Sequence, residues 1–231
     1  MSTDIRFIFK GFGQFLLLAL LVTLPIATLS YDLIYLKHGI TETSLTEYFQ
    51  ELILLLSSLS FAYIAYKEPS TRHFCTLAAG FFGCMFIREL DGLFDLVFHG
   101  FWIVPALFLA AACMIFASRN IKQTIHTFSH FTQSRHFFSL CLGMSLLLVF
   151  SRLFGMGHFW QGILGPEYDR TIRRVTEEGL EVLGYTIIFY SSLGYLQSFL
   201  TWRKYRLNDE SYSEFIGKRN QFFTDRLAKK S

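Results

Sequence analysis

From Gly11 to Ser30 the chain runs twenty residues without one ionisable side chain. A soluble helix must offer water a polar face, so an almost wholly apolar run of this length matches a bilayer, whose hydrocarbon takes about 20 residues to cross. The pattern recurs. Six segments read as transmembrane helices, at roughly 13–31, 48–66, 75–98, 101–117, 137–157 and 179–200. Of 231 residues, 52% are hydrophobic and 27 are phenylalanine, while 12 of the 39 charged ones lie after Trp202. That profile excludes a disordered chain and a disulfide-built mini-protein, and fits a soluble globular domain poorly. The expected fold is all-α: a polytopic membrane protein with a bundle of about six transmembrane helices over 1–202 and a basic juxtamembrane tail over 203–231. Pro25 and Pro105 fall inside spans, where a kink is tolerated.

Two alternatives touch individual spans. The first span, after Arg6 and Lys10, could be a cleaved signal peptide, but its apolar stretch is long and no small-x-small site follows. The third is cleanly apolar only over 74–87, so it could re-enter rather than cross. Gly165-Pro166 reads as a helix start, with helix running unbroken from there to about residue 200.

Lysine and arginine in the loops set the orientation. Fifteen lie on the side shared by both termini and four on the other, which predicts a bacterial-type inner membrane protein with cytoplasmic termini. A net charge of +3, concentrated in the tail, argues against nucleic acid and for membrane lipids as partners. Cys75, Cys84, Cys113 and Cys141 lie in or beside spans without metal-ligand spacing and read as small buried hydrophobes.

This orientation brings the ionisable groups of the spans to one depth, on the periplasmic side. Arg88, Glu89, Asp91, Asp95 and His99 fall in the outer half of span three, and Glu47, Gln50 and Glu51 at the outer end of span two. Arg152 and His158 close span five; Glu177, Glu178 and Glu181 open span six; Asp32 closes span one. If span three is one helix, Arg88, Asp91, Asp95 and His99 share a face within roughly 80°. An ionised side chain at a helix centre costs about 2.5–3.5 kcal/mol, so these groups must pair or line a wet cavity. Within the spans five acids (Glu51, Glu89, Asp91, Asp95 and Glu181) face two bases, and the excess calls for protons, a cation or a metal.

Three readings follow. A membrane-embedded hydrolase or transferase acting on a lipid-linked or amphiphilic substrate would use Glu51, Glu89 and Asp91 as acid and base. Arg88, Arg152, Gln50, Tyr185 and Glu181 would hold the substrate, and Asp95, His99 and His158 could hold one divalent metal ion. A proton- or cation-coupled carrier would use the acids as a relay, but beyond serines the inner halves offer no polar path. A non-catalytic scaffold would use them as an internal ion-pair network. Arg173–Glu177 and Arg174–Glu178, spaced i,i+4, read as a solvated helix face. His126 and His130, with His136 nearby, read as a solvated or membrane-surface helix, and Trp102, Trp160 and Trp202 as a membrane-edge belt.

Overall fold

The structure, a computed structural model, describes residues 3–36 and 44–207, and among them every regular element is helical. Lys37, His38 and the tail from residue 208 onward lie outside the described residues. Helix α1 (Thr3–Ser30) runs into a π turn (Tyr31–Leu36), and α2 (Leu45–Lys67) and α3 (Arg72–Glu89) follow. A single turn, α4 (Asp91–Phe94), precedes α5 (Ile103–Ser118) and α6 (Ile121–Thr132). Helix α7 (Arg135–Ser145) continues through a π segment (Leu146–Phe150) into the short α8 (Ser151–Phe154). After α9 (Gly157–Leu164) and a 3-10 turn (Gly165–Glu167), α10 (Arg170–Leu207) closes the fold.

Three stretches are long and apolar enough to cross a membrane: Asp4–Ile34, Leu45–Lys67 and Arg135–Phe154. Ile103–Ser118 with Ile121–Thr132 makes a fourth only as a pair, bent by 101°. The expected six are therefore not all matched. Helix α3 has 18 residues and carries Arg72, Arg88 and Glu89 at its ends, and the middle of α10 is diluted by glycine, serine and tyrosine.

The centre of the bundle is α2, α3, α7 and α10, with α5 against α3 and α1 on the flank of α10. Much of α1 touches no protein; Phe7 is 72% and Ile26 69% exposed. Phe61 stacks on Phe82 and on Tyr195, each 5.7 Å away, and meets Phe131 edge-on at 6.1 Å. Each such pair adds about 0.5–1.5 kcal/mol to its burial. Where α7 crosses α10, backbone meets backbone: a Cβ on Gly143 would lie 2.9 Å from the Gly184 carbonyl oxygen. Small residues permit this approach, and where lipid is as apolar as leucine it is close packing that holds helices together.

Asp32, nearly fully buried, ties α1 to α2. Its carboxylate accepts hydrogen bonds from Leu45 N at 2.9 Å, Thr46 N at 2.8 Å and Thr46 Oγ1 at 2.6 Å, satisfying donors that a helix start leaves open. Ser44 Oγ accepts from Glu47 N at 3.2 Å. We call this the polar end of the bundle; α3 ends and α10 begins there. At the opposite end Glu68 accepts from Ser70 Oγ at 2.6 Å and pairs with Arg206 at 3.1 Å, while Arg206 also lies over the Trp202 ring.

Two expectations fail locally. Span three is not one helix to residue 98. Helix α3 stops at Glu89, because Asp91 Oδ1 accepts from Gly92 N at 2.8 Å and Asp95 Oδ1 from Gly100 N at 2.8 Å. Gly100 adopts φ +84°, open to glycine, and reverses the chain. The shared face of Arg88, Asp91, Asp95 and His99 therefore does not exist. Nor does helix run unbroken from Pro166: Asp169 Oδ1 accepts from Thr171 N at 2.8 Å and α10 starts at Arg170.

In the reversed segment His99 Nδ1 lies 2.7 Å from Asp95 Oδ2, and this hydrogen bond, with the carboxylate charge, raises the His99 pKa above its ordinary value. A raised histidine pKa stabilises the turn below the unfolded value and loses that contribution as pH climbs through the folded one. NMR titration should find His99 titrating high in the wild type and near its ordinary value in Asp95→Asn. Identical titrations would refute the pairing.

Candidate functional site

Capping at Asp32 and Ser44 fixes where α2 begins, so Glu47, Tyr48 and Glu51 stand on its first turns. The stop of α3 presents Arg88 and Glu89, and the turn after it presents Asp91. The Gly143–Gly184 approach brings Arg152 of α8 beside the first turns of α10. Together they enclose a cavity of about 720 Å³ at the polar end, within the range of small-molecule sites. Seven carboxylates and four guanidiniums line it.

Its contacts cross between helices. Glu89 Oε1 accepts from the Arg88 guanidinium and from Tyr185 OH at 2.6 Å, which joins α3 to α10. Arg152 Nη1 donates to Glu177 Oε1 at 3.2 Å, and its Nη2 sits 3.0 Å from Glu181 Oε1 as an ion pair without hydrogen-bond alignment. Gln50 Nε2 donates to Glu178 Oε2 at 3.4 Å, while Gln50 Oε1, on a residue only 1% exposed, has no partner among the described residues. Arg173 Nε is likewise buried and unpartnered there. Glu47 and Glu51, one turn apart, face the cavity with no hydrogen-bond or ion-pair partner among the described residues. Beneath the site, hydroxyls turn back onto helix carbonyls: Ser57 to Ile53, Ser60 to Leu56, Thr186 to Val182, Ser192 to Ile188, and Ser191 across to His136. Leu54, Leu147 and Ile188 are buried in the hydrophobic core of the bundle.

Of the expected site residues, Glu51, Arg88, Glu89, Asp91, Arg152 and Glu181 line one cavity, with Gln50 and Tyr185 bonded to its wall. The metal set does not assemble. His99 is spent on Asp95, His158 is exposed on α9, and among the described residues no three His, Cys, Asp or Glu side chains form a metal-holding group. Arg173, Arg174, Glu177 and Glu178 line the cavity instead of forming a solvated face, because Arg152 reaches Glu177 from another helix. Trp102 also belongs to the wall rather than only to a membrane-edge belt. Glu47 and Tyr48 complete the wall; the signal for them was their helical spacing with Glu51. His126 and His130 share a face of α6 with their Nε2 atoms 3.3 Å apart, exposed and away from the cavity. No family model, curated protein or solved structure matches the chain.

Proposed function

We propose that the chain is a multi-pass protein of a bacterial-type inner membrane, with both termini cytoplasmic and the polar cavity facing the periplasm. It acts there as a hydrolase or transferase on the headgroup of a lipid-linked or amphiphilic substrate. In this reading α3 and α10 complete the count of six spans; their charges lie near their ends, where crossing is least costly. Glu51 exchanges protons with the substrate. Glu89 is a positioned acceptor, fixed by Arg88 and Tyr185, and Asp91 at the rim is the second acid–base group. Arg88 and Arg152 orient the headgroup.

One observation carries the reading: carboxylates from α2, α3 and α10 meet in one cavity, and two of them remain unpartnered among the described residues. A carrier would need a polar path onward, and the hydroxyls below the cavity are used within the helices. The test uses the full chain purified in maltoside detergent and incubated with a total polar lipid extract of the producing cells. Mass spectrometry should find lipids converted by the wild type, with conversion slowed about 10²–10⁴-fold in Glu51→Gln. Lipid profiles unchanged by the wild type would overturn the enzyme reading, and cation flux through proteoliposomes would replace it with the carrier.

A further inference from the structure

At the end of the bundle opposite the polar cavity, α6 carries two histidines on its exposed side. The helix is a fixed platform. Asn120 Oδ1 accepts from Gln123 N at 3.2 Å and caps it, and Gln123 Nε2 donates to the Pro69 and Ser70 carbonyls at 3.0 and 2.8 Å. Thr124 Oγ1 donates to Ala117 O at 2.9 Å, and Phe131 is buried in the core. With the helix tied in this way to the turn between α2 and α3, His126 and His130 stand side by side in the open, one helical turn apart. Their Nε2 atoms are 3.3 Å apart, and neither ring has another partner among the described residues.

That separation is long for a hydrogen bond, whose usual range ends at about 3.2 Å. It suits a shared metal ion. Imidazole nitrogens bind zinc at about 2.0–2.1 Å, and at those lengths a gap of 3.3 Å subtends about 104–111° at the metal, around the tetrahedral value of about 109°. Two histidines four residues apart on a helix are also the ligand pair of the zinc motif His-Glu-x-x-His. Thr127 stands where that motif has its glutamate, so this pair can hold a metal but lacks the general base of a hydrolytic centre. We infer that His126 and His130 chelate one transition-metal ion of the zinc class through their Nε2 atoms. The exposed side leaves room for water to complete the coordination, so the ion exchanges with solvent, unlike the closed four-ligand sites on which folding depends. The site stands apart from the polar cavity and does not depend on the function proposed for it.

The full-length protein, purified in maltoside without a polyhistidine tag and stripped with EDTA, is titrated with zinc chloride by calorimetry. His126→Gln and His130→Gln, each alone, should weaken the site about a hundredfold, since losing one ligand removes the gain of holding the ion twice. Both side chains are exposed, so the melting temperature without zinc should not change in either variant, and zinc should raise it more in the wild type. In histidine 1H–15N spectra, one equivalent of zinc should shift the Nε2 signals of both rings together, and the same concentration of magnesium should shift neither. Equal zinc affinity in the wild type and His126→Gln/His130→Gln would overturn the site. A shift confined to one ring, or to Nδ1, would overturn it as well, because either breaks the chelate.

Discussion

Valine in place of Gly184 is expected to destabilise the bundle by about 3 kcal/mol, the upper end of ordinary overpacking losses. A Cβ there would lie 3.0 Å from the Gly143 carbonyl oxygen and 3.1 Å from Leu147 N. These are backbone atoms, which cannot rotate aside as a side-chain tip can, so α7 and α10 must part. Gly143→Val should do the same from the other side, where a Cβ meets Gly184 O at 2.9 Å and Ile188 N at 3.0 Å. Thermal unfolding in detergent measures the loss, and Gly11→Val is the control, since nothing lies within 4 Å of a Cβ on Gly11. Should Gly184→Val and Gly143→Val melt with the control, the helices do not touch here. The damage should reach the polar cavity too, because Arg152 lies on α8, at the end of the run that α7 begins, and Glu181 lies on α10.

The second large effect belongs to Arg152. It is half exposed, yet it holds both Glu177 and Glu181, and Glu181 is buried. Removing one partner of a fully buried pair costs about 3–5 kcal/mol; with Arg152 half in solvent, about 2 kcal/mol is expected for Arg152→Ala. Adding Glu181→Gln to that variant should restore about 1 kcal/mol, because the stranded carboxylate is gone. Arg152→Lys should rescue poorly, since an ammonium cannot fork to two carboxylates. Strict additivity of the two changes in chemical unfolding would mean that the pair is not coupled.

Much of this arrangement could be read from residue order alone. Helix α2 and the apolar stretches of α1 and α7 follow from unbroken hydrophobic runs. The gathering of Glu51, Arg88, Glu89, Asp91, Arg152 and Glu181 follows from the rule that successive antiparallel helices bring alternate ends together. What periodicity missed is chemistry that competes with helix. Asp91-Gly92 and Asp95 with Gly100 satisfy backbone donors locally and stop α3, although their spacing also suits a helical stripe. The metal set rested on Asp95 and His99 one turn apart with His158 at a neighbouring helix end; the first two do meet, but among the described residues no third ligand joins them. Arg173 and Arg174 were misplaced for a different reason. Their i,i+4 partners are visible in the sequence, but the partner that Glu177 takes is Arg152, 25 residues away. Cross-helix competition of that kind has no local signal.

The serine and threonine hydroxyls folded back onto their own helices have an electrical consequence. Below the polar cavity, among the described residues, Ser57, Ser60, Thr186 and Ser192 spend their protons on their own helix carbonyls, and in the proposed orientation this makes the middle of the bundle an insulating layer. In the proposed orientation nearly all of the membrane voltage falls across that insulating layer, where one elementary charge would feel about 2.3 kcal/mol per 100 mV. The carboxylates and guanidiniums above it lie outside most of the field. Binding at the polar end should then be almost indifferent to the energised state of the membrane, as the proposed function requires.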